Sequence, residues 1–486
     1  MKIVRETGRS PNPGARPRAV LATLKVALTL ALVALAAMWL RLRAGRVQPG
    51  ADSARHVLVI SIDGMASKYY MEPPPGLRIP NLRRLMAEGS YAEAVAGVYP
   101  TLTYPSHTTL VTGCLPAEHG IYTNLSSREP GQNPDDYFWF AKAIRKPTLW
   151  DEARAHRLTT ASVAWPVTAG APIDWDVPEI WDPSKAPAPD ALYVARFMKP
   201  LVTLELAMAL GRPQPGAEDD ENRVRLASYF LTKHQPHLML VHLEGLDHTE
   251  HGSGPYSDAA NQALERIDGH LEELLRALKQ AGIENSTDVF ILSDHGFLPV
   301  EREINPNILL AKAGLLEADA NGSITGGKVA TVVNGGSFFV YWPEGSNLGP
   351  AVKAALAPLS EQGLASAVLD RDALRALGAD PEAQLALDAP DDAEYGDLAA
   401  GALVTPLARR EGNHGYLPSR PGLDTSFIAV GPDIRSGVDL HRIPMTRVAP
   451  TILEALGIRD PHFGDLPPLE AVFKTDSISA REPVPH

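Results

Sequence analysis

The chain has a single cysteine, Cys114, in 486 residues. That excludes an intrachain disulfide and argues against a thiolate metal site, so any metal here would be held by oxygen and nitrogen. Positive charge is also short: 45 Lys and Arg stand against 58 Asp and Glu, a formal net charge of −13. A protein that grips a nucleic-acid backbone needs a basic face, so a nucleic-acid polymer is not an expected partner. A small anionic substrate stays open, because a metal ion can reverse the field locally. Internal repeats are lacking as well. What is there reads as globular, with 44% hydrophobic and 21% charged residues and length enough for one large α/β domain or two to three ordinary ones.

Residues 19–40, AVLATLKVALTLALVALAAMWL, are an apolar run broken only by Thr23, Lys25 and Thr29. The run is long enough to span a bilayer, Trp39 suits the interface, and the basic leader 1–18 favours a cytoplasmic N-terminus. The competing reading is a cleaved signal peptide, with Ala34-Leu35-Ala36 as the cleavage site. That site lies inside the run, with Met38, Trp39 and Leu40 still to come, so an uncleaved transmembrane anchor is expected. Either reading places residues 47–486 outside the cytoplasm, periplasmic or extracellular. A linker at 41–55, one domain over 56–460 with an irregular insertion at about 303–410, and a tail at 461–486 complete the expected organisation.

Within 56–460, apolar β-branched runs alternate with amphipathic segments. HVLVISID (56–63), TTASVAW (159–165), LMLVHLEGLD (238–247), TDVFILSDHG (287–296) and TSFIAVG (425–431) read as buried strands. Residues 257–282 are the clearest helix: Leu264, Ile267, Leu271, Leu274, Leu275 and Leu278 line one face, and Gly282 closes it. The alternation predicts an α/β fold with a mostly parallel central sheet and helices on both faces.

Three of these strands end alike, at Asp63, at Asp247 and at Asp294-His295. Ligands of open α/β sheets bind beyond the carboxyl ends of the strands, so the three carboxylates are expected to converge. Asp294 and His295 can face one site only where the strand has ended, which Gly296 permits. DHTEH sets His251 four residues after Asp247, and EGNHGY offers His414 in a polar turn. Asp and His without Cys suit Zn²⁺, Mn²⁺ or a similar divalent ion, and six such ligands are enough for two ions. Each aspartate taken singly reads as a turn former or a cap; the coincidence of position carries the inference. The stretch GVYPTLTYPSHTTLVTG (97–113) then matters, because it places hydroxyls at a helix start, where free N–H groups favour an anion. Coordination to a metal is one way to ionise such a hydroxyl. Spacing alone leaves Thr101, Thr103 and Ser106 as candidates.

Taken together, SIDGM, YPTLTYPSHTTLVTGCLPAEHGIYTN, LEGLDHTEH, LSDHGF, NGGSFFVYW, NHGY and VAPTILEALGI resemble the alkaline phosphatase superfamily and, within it, the nucleotide pyrophosphatase/phosphodiesterase family. The resemblance implies an alkaline-phosphatase-like fold and a catalytic phosphodiesterase domain at 56–460. It implies Thr103 as nucleophile, Asp247, His251 and His414 as ligands of one zinc, and Asp63, Asp294, His295 and Thr103 as ligands of the other. Asn124 would hydrogen-bond a phosphate oxygen. His107 and His119 are either supporting or merely packed. The expected reaction is cleavage of a phosphodiester or pyrophosphate bond, in a nucleotide or a lipid head group, through a phosphothreonine. The alternatives are a phosphomonoesterase, a phosphoethanolamine-type transferase, or a non-catalytic binding protein.

Overall fold

The computed structural model describes residues 55–126, 137–180, 191–210, 219–460 and 463–475. Its central sheet comprises, in chain order, β1 (His56–Ile62), β2 (Ser90–Tyr91), β3 (Thr160–Val163), β4 (Trp175–Val177), β5 (Leu238–Leu243), β6 (Thr287–Leu292), β7 (Phe427–Val430) and β8 (Val438–Asp439). In space the order is β8-β2-β7-β6-β1-β5-β3-β4. β1 is buried along its whole length, as a strand covered on both faces must be. Its alternate side chains feed two cores, Leu58, Ile60 and Ile62 on one face and Val57 and Val59 on the other.

The helices that matter for the site are α1 (Thr103–Thr112), α2 (Asp220–His234), α3 (Gly245–Ser253), α4 (Asp258–Ala281) and α5 (Val448–Ala455). Val224 and Phe230 of α2 and Leu264 and Leu271 of α4 close the first core. Leu110 of α1 and Ile452 of α5 close the second. α4 follows its sequence pattern closely: Ser257 caps its start by accepting from the Ala260 N–H, and Gly282 ends it in a left-handed conformation.

The sheet expected to be mostly parallel is a mixed one. β1, β5, β6, β3 and β4 pair in parallel, but β7 runs antiparallel to both β6 and β2. A parallel return needs a crossover connection. Between β6 and β7 the chain instead builds a lobe of its own and re-enters the sheet from it. That lobe holds a four-stranded antiparallel sheet (Ala330–Asn334, Ser337–Tyr341, Leu385–Asp388, Ala367–Asp370) and a three-stranded sheet (Leu298–Ile304, Ala393–Tyr395, Val404–Asn413). Phe338, Val340, Leu356 and Leu387 are in its separate core.

The membrane anchor expected at 19–40 lies outside the described residues, as do the leader and all but the last residue of the linker. Among the described residues no helix is long and apolar enough to cross a membrane. Even α4, at 24 residues, exposes Arg266, Glu272, Glu273 and Arg276 along its outer face. The membrane partner and the extracytoplasmic location expected from the apolar run are therefore corrected: no membrane-spanning helix among the described residues supports them.

Candidate active site

β1 pairs in register with both β5 and β6, Ile60 lying opposite Val241 on one side and Ile291 on the other. Their carboxyl ends therefore finish level. Asp63 follows β1 directly, Asp294 and His295 follow β6, and Asp247 sits in the first turn of α3, just past β5. The turn into α3 is fixed from outside: the Asp220 carboxylate accepts the N–H groups of Glu244 at 2.9 Å and Gly245 at 3.0 Å. Two glycines allow the close approach. Gly64, at φ +75, donates its N–H to Asp294 Oδ1 at 3.2 Å, and a Cβ there would meet Phe297 Cε2 at 2.7 Å. A Cβ on Gly296 would lie 2.2 Å from the Gly422 carbonyl oxygen, so only glycine lets the chain pass immediately after His295.

The hydroxyls of the threonine-rich segment divide cleanly. Thr101 Oγ1 donates to the Tyr416 carbonyl at 3.0 Å and accepts from the Gly415 N–H at 3.0 Å, which ties the segment to the His414 turn. Thr108 and Thr112 bond back to carbonyls of their own helix. The Ser106 hydroxyl is buried without a partner. Thr103, the first residue of α1, places its Oγ1 3.3 Å from His295 Nε2.

His295 is the hub. Its Nε2 lies 3.2 Å from Asp63 Oδ1, 3.3 Å from Asp294 Oδ2 and 3.9 Å from Asp247 Oδ1. Two metal-sized groups result: Asp63, Asp294 and His295, and Asp247, His295 and His414. His251 joins the second at its edge, with Nε2 3.5 Å from Asp247 Oδ1 and its ring 5.1 Å from that of His414. His414 Nδ1 donates to the Thr101 carbonyl at 2.9 Å and His251 Nδ1 to the Gly412 carbonyl at 3.2 Å, so each turns Nε2 toward Asp247. A metal-binding histidine is oriented in this way.

Burial and the charges of Asp294 and Asp247 push the Asp63 carboxyl well above its usual range, against a hydrogen bond from His242. Burial also raises Asp247, to about 7, with Asp294 and Glu244 adding and His295 opposing. Asp294 goes the other way: burial works against its charge, but His295, His107 and His242 hold it at about 2. Burial depresses the His251 and His414 imidazoles, and the neighbouring rings press His414 further down, so both are neutral and keep a lone pair for a ligand. Three buried carboxylate oxygens, Asp63 Oδ1, Asp247 Oδ1 and Asp294 Oδ2, have no hydrogen-bond partner. Unpartnered carboxylate oxygens gathered around histidine ring nitrogens fit divalent cations.

Asn124 lies beside the start of α1. Its Oδ1 accepts the Tyr104 N–H at 3.0 Å, which leaves the amide N–H₂ as a donor. His107 is drawn in, with Nδ1 3.5 Å from Asp294 Oδ2 and Nε2 2.9 Å from Ser61 Oγ. His119 is not: it bonds the Thr109 hydroxyl of α1 and accepts the Ile121 N–H of its own turn. Two residues went unread in the sequence. His242 reaches Asp63 Oδ2 at 3.0 Å, and Glu179 reaches His242 at 2.8 Å. Their signal was a polar side chain inside an otherwise apolar strand and an acid just beyond another.

Ectonucleotide pyrophosphatase/phosphodiesterase family member 3 of Rattus norvegicus is 28% identical over 252 residues, 49% of this chain and 24% of its own length. Member 1 of the same family in Homo sapiens is 27% identical over 251 residues, 49% of this chain and 23% of its own length. The chain thus matches about a quarter of these curated relatives. Among solved structures, murine ectonucleotide pyrophosphatase/phosphodiesterase 5, in an inactive form in complex with AMP, superposes with a TM-score of 0.62 at 21% identity. The match covers 85% of this chain and 97% of that one. The human counterpart gives 0.61 at 21% identity, with 85% and 97% covered. The profile described as "Type I phosphodiesterase / nucleotide pyrophosphatase" matches residues 57–362, more than half of the sequence, and the chain belongs to that family.

Proposed function

We propose that the protein hydrolyses phosphodiester or pyrophosphate bonds in small molecules, with Thr103 as nucleophile and two divalent cations, zinc first among them, held by Asp63, Asp247, His251, Asp294, His295 and His414. One observation carries this reading: Thr103 Oγ1 stands at a helix N-terminus 3.3 Å from His295 Nε2, the atom shared by two groups of metal-ligating side chains. When bound, the cations would favour the ionised threonine hydroxyl and offset the charge building on the departing oxygen.

The chain's own groups supply the rest. The N-terminal end of the α1 dipole and the Asn124 amide N–H₂ would favour the phosphoryl oxygens and stabilise the five-coordinate transition state. Thr103 releases its hydroxyl proton to solvent and its Oγ1 forms the new P–O bond, while the ester oxygen opposite leaves with the electron pair of the broken bond and takes up a proton from solvent. Water then attacks the phosphothreonine from the vacated side, and Thr103 regains a proton. Asn124 is a neutral donor and suits the single negative charge of a diester. The AMP held by the murine relative makes nucleotides the first substrates to screen.

The test compares bis-p-nitrophenyl phosphate with p-nitrophenyl phosphate, each with zinc and with EDTA. Chelator-sensitive preference for the diester is the expected result. Preference for the monoester would overturn the diester assignment.

A further inference from the structure

Beneath the metal-ligating groups lies a buried chain of polar contacts that the reaction itself does not use. His242, 1% exposed, sits near the end of β5 and directs each ring nitrogen at acceptors only. Nε2 lies 3.0 Å from Asp63 Oδ2, while Nδ1 lies 2.8 Å from Glu179 Oε2 and 3.1 Å from the Ala164 carbonyl. Rings fix its plane: His107 packs against it at 4.4 Å and 66°, and Trp165 packs against His107 at 4.9 Å. Arg223 donates to the His242 carbonyl at 3.1 Å and pairs with Glu244 at 2.7 Å, so the backbone under the ring is held too.

We infer that His242 and Glu179 are a positioning pair that commits Asp63 to present one oxygen, Oδ1, to a cation and that ties this ligand to the nucleophile's helix. The inference rests on the two-cation reading above. Asp63 Oδ2 is engaged by His242, whereas Oδ1 has no hydrogen-bond partner and faces His295 Nε2 at 3.2 Å. A hydrogen bond to one carboxylate oxygen resists rotation of the group and favours coordination through the other. Glu179 extends the tie. Its Oε1 accepts the Tyr104 hydroxyl at 3.0 Å, and Tyr104 directly follows Thr103. A single buried carboxylate therefore joins the residue that orients a ligand to the turn that carries the nucleophile. Groups that hydrogen-bond metal ligands in this way typically change metal affinity or activity by about 10- to 100-fold when removed.

The experiment uses the full chain, stripped of metal and titrated with Zn²⁺ by calorimetry and with Co²⁺ by visible absorption. Wild type, His242→Phe, His242→Gln, Glu179→Gln and Asp63→Asn are compared, together with the Asp63→Asn/His242→Phe double variant. Wild type is expected to take up two ions. His242→Phe, similar in size but without a donor, should weaken one of them by about 10- to 100-fold and alter the cobalt spectrum. His242→Gln, which restores one donor toward Asp63, should recover part of the loss, and kcat should fall more than KM rises. In the Asp63→Asn background His242→Phe should weaken binding no further. Two ions in wild type with unchanged affinity and spectrum in the His242 and Glu179 variants would overturn the inference and leave the functional reading standing. No ion in wild type would overturn both. Variants whose apo forms melt early but bind both ions normally once folded would show a purely structural pair, which also overturns the inference.

Discussion

Asp176 offers a quantitative check on the sheet edge that delivers Glu179. It lies in β4 opposite Ser162 of β3, is 5% exposed, and precedes Glu179 by three residues. Burial raises its carboxyl from 3.8 to about 8, against the Ser162 and Thr168 hydroxyls and Lys199. Between those values the folded chain holds a proton that the unfolded chain has released. Stability therefore falls as pH rises through this window, by about 1.4 kcal/mol per pH unit, and levels off above about 8. From pH 5 to pH 7 the loss is about 3 kcal/mol. Asp176→Asn keeps the shape and removes the ionisation, so the variant should lack this slope. Urea unfolding of both proteins in EDTA at pH 5, 6, 7 and 8 reads the difference, and every other titrating group cancels between them. The variant's advantage over wild type should grow by about 3 kcal/mol from pH 5 to pH 7. Parallel curves would refute the reasoning, because they would mean that Asp176 reaches a compensating charge or water and ionises in the fold.

Thr103→Ala should abolish turnover while zinc stoichiometry and the circular dichroism spectrum stay at wild-type values; measurable steady-state cleavage would remove Thr103 as nucleophile. Asn124→Ala should lower kcat for the diester by about 10²- to 10³-fold, the cost of losing one preorganised donor to a developing oxyanion, with KM little changed. Gly64→Ala combines a left-handed φ of +75 with a Cβ 2.7 Å from Phe297. It should destabilise the fold by about 2–4 kcal/mol in chemical denaturation and weaken zinc binding, since the Gly64 N–H holds Asp294.

The strand-end aspartates were legible because a buried strand is apolar until it stops, and the first acid after the run marks the stop. Asp63 after VLVISI and Asp294 after DVFIL both stand out on that ground. The direction of β7 was not legible, because FIAV has the same apolar pattern whether it runs with or against its neighbours. Only the lobe between β6 and β7, whose strand Leu298–Ile304 pairs with strands about a hundred residues further on, decides it. Nor does the sequence show that His295 stands between the two ligand groups rather than within one. That depends on ångström-scale placement of Asp247 and His414, the second of which comes from the lobe side of the chain. His242 could have been noticed. An imidazole near the end of LMLVHL, a strand buried at every position, needs partners for both nitrogens, and only residues at the carboxyl edge or on the next strand lie close enough to provide them.

The charge arrangement also resolves an apparent conflict between a chain of net charge −13 and an anionic substrate. Asp63, Asp247 and Asp294 are gathered around one imidazole nitrogen, and their unpartnered oxygens repel one another in a buried space. Burial raises Asp63 and Asp247, and this repulsion adds to it, while Asp294, beside three histidines, is held low. Divalent cations would relieve the repulsion and would leave a positive field for the phosphoryl group of the proposed substrate. On the proposed reading, the same carboxylates that would reject a phosphate on their own would, once loaded with cations, favour its binding. It follows that the substrate anion and the chelator act on one quantity. Removing metal should weaken binding of a non-hydrolysable phosphate ester as steeply as it removes turnover, and equilibrium dialysis with and without EDTA would decide it. Ester binding that survives chelation would place the anion on the α1 N-terminus and Asn124 alone, and would leave the carboxylates without a part in recognition.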